Sequence, residues 1–196
     1  MKTAPGIRII DNAFMWTYGF LLESEMFKRR VISVGPQLDA PMTIHAKLAP
    51  EWQALSKRGG PPEAPGPATF PGFALQLGDS PLKPLLEHTL TYAAVNFDVM
   101  GNPHPSPVRP GSLVVLLFLT SNWVEAMGGE VFFYADESRR DIIQASSPIF
   151  LRAIVFDGAI PYTVRPPTRA AEYPKLTATF VVDKGPHSAE LLGSAL

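Results

Sequence analysis

The stretch that decides the fold opens with Gly101-Asn102-Pro103-His104-Pro105-Ser106 and runs to Val182. Along it come the apolar run Leu113 to Leu119, Asn122-Trp123, Gly128-Gly129-Glu130, a second apolar run ending in Phe156-Asp157-Gly158, Ile160-Pro161-Tyr162 and Lys175-Leu176-Thr177. Short runs rich in β-branched and aromatic residues, mostly bounded by Gly, Pro, Asn or Asp, read as strands. They cover Thr91 to Phe97, Ser112 to Leu119, Glu130 to Tyr134, Asp141 to Ala145, Ile149 to Phe156, Tyr162 to Arg165 and Leu176 to Val182. The chain carries 21 prolines in 196 residues, about twice the usual share of roughly 5%. Proline interrupts helices and central strands, so the composition predicts short strands joined by many turns.

Toward the N-terminus, Ile7 to Ile10 is a further short strand, ending at Asp11-Asn12. Ala13 to Lys28 has no proline and places Phe14, Tyr18, Leu21, Leu22 and Phe27 at near-helical spacing. It reads as a helix covering the sheet, capped by Asp11 or Asn12. Arg30 to Val34 reads as a strand, and His45 to Ser56 as a second helix that starts near Pro50. Residues 59–71 are a Pro/Gly-rich loop. Ser80 to His88 reads as a short helix with Ser80 as its N-cap. Helices first and then many short strands predict an α+β, mainly β, chain with a sandwich or barrel core, residues 1–196 forming a single domain.

Hydrophobic residues make up 46% of the chain and charged residues 18%, the balance of a globular protein with a sizeable core. A net charge of -1 gives no electrostatic basis for binding nucleic acid or an anionic membrane. With no cysteine, disulfides, thiolate metal sites and a cysteine nucleophile are excluded. No apolar run is long enough to span a bilayer and no secretory signal is apparent, so a cytoplasmic location is the expectation.

The order and spacing of these motifs resemble the catalytic half of the Fe(II)/2-oxoglutarate-dependent dioxygenases, in the prolyl-hydroxylase-like branch. Ile7 to Asn12 resembles the start of that domain. Asn122-Trp123, Gly128-Gly129-Glu130, Phe156-Asp157-Gly158 and Arg165-Pro166-Pro167 are of the family type. The resemblance implies a double-stranded β-helix core, a jelly roll of cupin-like form, with N-terminal covering helices. In that family a His and a carboxylate two residues later share one face of a strand. A second His from a distant strand completes a two-His, one-carboxylate face with open positions, and a basic residue farther along binds the far carboxylate of 2-oxoglutarate. Here His104 falls at the first ligand position, Ser106 where the carboxylate belongs, Tyr162 where the second His belongs and Lys175 at the basic position. Ser106 offers no anionic oxygen at neutral pH, and a phenol such as Tyr162 has a reference pKa of about 10. The resemblance thus implies the fold together with a substituted metal site, in which His104 alone keeps its ligand type.

Imidazole, hydroxyl and phenol donate, accept and relay protons, and Lys175 adds a cation suited to a carboxylate or an enolate. The favoured reading is a metal-independent enzyme that needs no cofactor. It performs isomerisation, dehydration or cyclisation of a small molecule through His104, Tyr162 and Ser106. Lys175, Trp123, Glu130, Tyr134 and Arg109 are its candidate substrate contacts. Plainer readings stand beside these: Trp123 as core or pocket wall, Glu130 in an ion pair, Arg109 on an exposed loop, Asp157-Gly158 as a turn. His45, His88 and His187 have no metal-ligand spacing among themselves. One alternative is a non-catalytic protein that binds a ligand or pairs with an active homologue; a homodimer is the other assembly expected. Another is an atypical oxygenase that binds Fe(II) through His104 and a recruited ligand, Glu130 or Asp98, and consumes 2-oxoglutarate.

Overall fold

A computed structural model describes residues 4–13, 80–83, 88, 90–98, 104–105, 108–173, 175–185 and 188–193. The expected helices beginning at Ala13 and His45, the strand at 30–34 and the loop at 59–71 lie outside the described residues, as does the middle of the expected 80–88 helix. In chain order the strands are β1 (Ile7–Ile10), β2 (Leu90–Asp98), β3 (His104–Pro105), β4 (Ser112–Phe118), β5 (Val131–Tyr134), β6 (Ile142–Ser146), β7 (Ala153–Asp157), β8 (Tyr162–Val164) and β9 (Lys175–Asp183), followed by the short helix α1 (Ser188–Leu192).

Two antiparallel sheets form, one of five strands in the order β1-β7-β4-β9-β2 and one of four in the order β3-β8-β5-β6. After β2 the chain passes between the sheets repeatedly: β3 in the small one, β4 in the large, β5 and β6 in the small, β7 in the large, β8 in the small, β9 in the large. This winding is a jelly roll. The unbroken apolar run of β4 explains its central place, since every residue of the strand is buried and both faces are covered. In β5 buried and half-buried residues alternate, which marks one inner and one outer face. β6 is an edge strand whose Ile142 and Ile143 are exposed.

The core lies between the sheets. Val114, Leu116 and Phe118 of β4, Ile154 and Phe156 of β7 and Val181 of β9 pack on Val131 and Phe133 of β5 and Tyr162 of β8. Each such side chain contributes roughly 1.5–3 kcal/mol by leaving water. α1 closes one edge: it lies against β1 and β7, Leu191 is fully buried, and Arg8 Nη1 donates to the Leu191 carbonyl at 3.1 Å.

The other expected strands, which fall on described residues, are present, most with shifted ends. The run from Ile149 becomes a strand only at Ala153, because Leu151 sits at φ 60° and Arg152 N–H closes a turn onto the Ile149 carbonyl at 3.0 Å. A positive φ is costly for a leucine, and here full burial of its side chain offsets the strain. β3 was legible as a motif rather than as a strand, since two residues including a proline give no strand pattern. Ser80 does accept from the Leu82 N–H at 3.1 Å, the bond expected of an N-cap.

Candidate functional site

Lys175 opens β9 and is fully buried. Its Cα partner across the ladder is Asp98, the last residue of β2, and Nζ stands 3.1 Å from Asp98 Oδ2. Nζ also donates to the Gly129 carbonyl at 3.2 Å. An ammonium buried in a β-sheet is tolerated only with such partners, because desolvation of an unpaired charge costs several kcal/mol. Thr177, two residues on and therefore on the same face of β9, is 2% exposed, and its hydroxyl has no hydrogen-bond partner among the described residues. Backbone bonds fix this end of the strand: Leu176 N–H donates to Thr120 Oγ1 at 2.6 Å and Leu119 N–H to the Leu176 carbonyl at 3.0 Å. The result is a buried cation paired with a carboxylate, with buried hydroxyls of Thr177 and Thr179 farther along the same strand face.

Tyr162 belongs to the small sheet, opposite Phe133 in the β5–β8 ladder. Its ring stacks on Phe133 with centroids 6.2 Å apart and meets Phe156 edge-on at 4.8 Å. The side chain is 7% exposed, within the core cluster. The β3–β8 ladder sets His104 opposite Val164, two residues along from Tyr162, so the fold brings these two strands together. Only the backbone of His104 is described, and Ser106 lies outside the described residues.

The other candidates are spread out. Glu130 follows the glycine whose carbonyl binds Lys175, but its carboxylate stands 3.6 Å from Arg165 Nη1. Trp123 Nε1 donates to the Gly128 carbonyl at 2.8 Å, and its ring meets Tyr173 edge-on at 6.0 Å. Tyr173 Oη in turn donates to the Asn122 carbonyl at 3.1 Å, so this pair latches the 121–128 loop. Tyr134 is half-buried at the end of β5, its N–H donating to the Pro161 carbonyl at 2.9 Å. Arg109 N–H donates to the Gly158 carbonyl at 2.6 Å, and the Arg109 carbonyl accepts from Ser112 Oγ at 2.6 Å, which anchors the entry to β4. Thr177 escaped the sequence reading, although the Lys-x-Thr spacing on a strand was the available signal. Asp98 was weighed only as a metal ligand; its pairing with Lys175 depends on a register that no local pattern encodes.

No protein-family model matches the chain, and no curated protein matches it. Solved structures do. A prolyl-4-hydroxylase from Pseudomonas putida superposes with a TM-score of 0.64 at 12% identity, over 92% of this chain and 93% of the other. The likeness is one of fold. A prolyl hydroxylase from Trichoplax adhaerens, solved with a hypoxia-inducible-factor peptide fragment, gives 0.58 at 17% identity over 98% of this chain and 89% of the other. HygX from Streptomyces hygroscopicus, solved with nickel and 2-oxoglutarate bound, gives 0.55 at 11% identity over 91% and 82%.

The described residues leave out the His104 side chain and all of Ser106. Among them, no three His, Asp or Glu side chains gather into a group that could hold a metal ion. The position resembling the second His holds a phenol packed between two phenylalanines. The cation resembling the 2-oxoglutarate anchor already has a carboxylate. No helix among the described residues is long and apolar enough to cross a membrane.

Proposed function

We propose that this protein uses a dioxygenase fold for metal-independent acid/base chemistry on a small molecule. The observation that carries this reading is the pairing of buried Lys175 with half-buried Asp98, on the same strand face as the Thr177 hydroxyl, which has no partner among the described residues. Isomerisation, dehydration and cyclisation each need one group that removes a proton and another that returns it, and none consumes an oxidant. The Lys175 ammonium and Thr177 hydroxyl donate to a developing oxyanion, while His104 and Tyr162 on the facing sheet carry the proton. Ser106 joins them as a catalytic hydroxyl, and Trp123, Glu130, Tyr134 and Arg109 remain candidate substrate contacts. The burial of Tyr162 in an aromatic cluster favours a second reading, in which the protein binds its ligand or a homologous partner without turning anything over.

The test is anaerobic titration of the metal-stripped protein with Fe(II), with and without 2-oxoglutarate, read by calorimetry and by the visible charge-transfer band. The expected result is no tight binding and no band. Tight binding with the band overturns the proposal in favour of an atypical oxygenase. Substrate screening with Tyr162→Phe and His104→Ala then separates the two metal-free readings: turnover abolished in folded variants supports the enzyme, and no turnover by the parent protein supports the binding subunit.

A further inference from the structure

The Lys175 site differs from an open carboxylate anchor in a way that bears on which ligand it accepts. The cross-strand register, not a flexible reach, brings the two charges together: Asp98 and Lys175 are Cα partners at the end of a ladder that runs back to Leu90 and Val182. The lysine side chain is 1% exposed and that of Asp98 24%, so the cation is buried and the carboxylate reaches partly toward solvent. A lysine ammonium has three N–H donors; one direction goes to Asp98 Oδ2 and one to the Gly129 carbonyl, at 3.1 and 3.2 Å. The charge is already matched. A ligand carboxylate would place a second anion against a single buried cation, whereas a neutral carbonyl or hydroxyl needs only the remaining N–H and the Thr177 hydroxyl, which has no partner among the described residues.

We propose that Asp98 is a specificity-determining residue: its carboxylate occupies the Lys175 anchor, excludes dicarboxylic acids such as 2-oxoglutarate, and selects a ligand that presents a neutral carbonyl or hydroxyl. This deepens and rests on the reading of the site as one that binds a small molecule. The probe is glutarate, a dicarboxylate with no keto group to chelate a metal, titrated calorimetrically into the metal-free wild type, Asp98→Asn and Asp98→Asn/Lys175→Gln. The expected result is no measurable binding to wild type, at least about tenfold tighter binding to Asp98→Asn, about 1.4 kcal/mol, and loss of that gain in the double variant. Equal binding to wild type and Asp98→Asn, or a gain that survives removal of Lys175, overturns the proposal. If Asp98→Asn does not fold alone, it is refolded with glutarate or with neutral glutaramide and followed by circular dichroism. Recovery with glutarate only supports the proposal, and recovery with both or neither overturns it. Because glutarate needs no iron, this outcome is independent of the Fe(II) titration, which alone decides between metal-free and oxygenase chemistry.

Discussion

A Cβ added to Gly129 would lie 2.8 Å from Cδ of Lys175, and Gly129 itself holds φ at 86°. The absence of a side chain there lets the lysine stem pass under the turn into β5, while the glycine carbonyl receives its ammonium. Position 129 is thus tied to Lys175 twice, by shape and by a hydrogen bond.

Gly129→Ala is expected to destabilise the protein by about 1–3 kcal/mol through backbone strain alone, and by more once the lysine is displaced. Gly111→Ala is the control, since Gly111 also has a positive φ, 81°, but nothing lies within 4 Å of its added Cβ. Urea denaturation should place Gly129→Ala clearly below Gly111→Ala. Equal losses would mean that Lys175 yields freely.

Lys175→Met should cost about 3–5 kcal/mol, because it leaves the Asp98 carboxylate without its cation, with the partial exposure of Asp98 drawing the value to the lower end. In a double-mutant cycle with Asp98→Asn the two losses should fall short of additivity by about 1 kcal/mol or more. Simple additivity in equilibrium unfolding would show that the pair is not coupled.

Tyr162→Ala removes a ring that touches Phe133 and Phe156, and should cost about 3–5 kcal/mol. Tyr162→Phe keeps both ring contacts and should cost about 1 kcal/mol or less. Thermal and urea unfolding measure this. The same Tyr162→Phe protein, still folded, is the one in which loss of turnover can be assigned to the phenol.

Arg152 Nε and Nη2 donate to the two carboxylate oxygens of Asp11 at 2.6 and 3.0 Å, and these hydrogen bonds hold the Asp11 carboxyl below its ordinary value. A depressed folded-state pKa gives stability that is full above the unfolded value of about 3.9 and is lost as pH falls through the folded value. Asp11 is more than half exposed, so solvent screens the pair and its worth is about 0.5–1 kcal/mol. Asp11→Asn should therefore lower stability at neutral pH and converge with wild type in strong acid; a constant gap across pH would contradict the ion pair.

Much of the strand inventory was legible because a buried strand must be locally apolar and must end at a turn. Leu113 to Leu119 read as a strand from its apolar run, and β5 displayed its two faces through alternation, whereas the central place of β4 came from the sheet order. The ends were less legible. Leu151 at φ 60° breaks the run before Ala153 because burial of one side chain outweighs a local preference, and such a balance exists only in the packed molecule.

The sequence by itself determined which residue types stand at the positions resembling the iron-site residues: a phenol at 162, a hydroxyl at 106 and a lysine at 175. Only the tertiary structure decided what those groups meet. Asp98 and Lys175 are 77 positions apart and become neighbours through the register of β2 on β9. Tyr162 enters an aromatic cluster because β8 pairs with β5 and the small sheet then packs on β7. Local propensity acts over a few residues, whereas pairing a charge or filling a core depends on which strands the whole chain brings side by side.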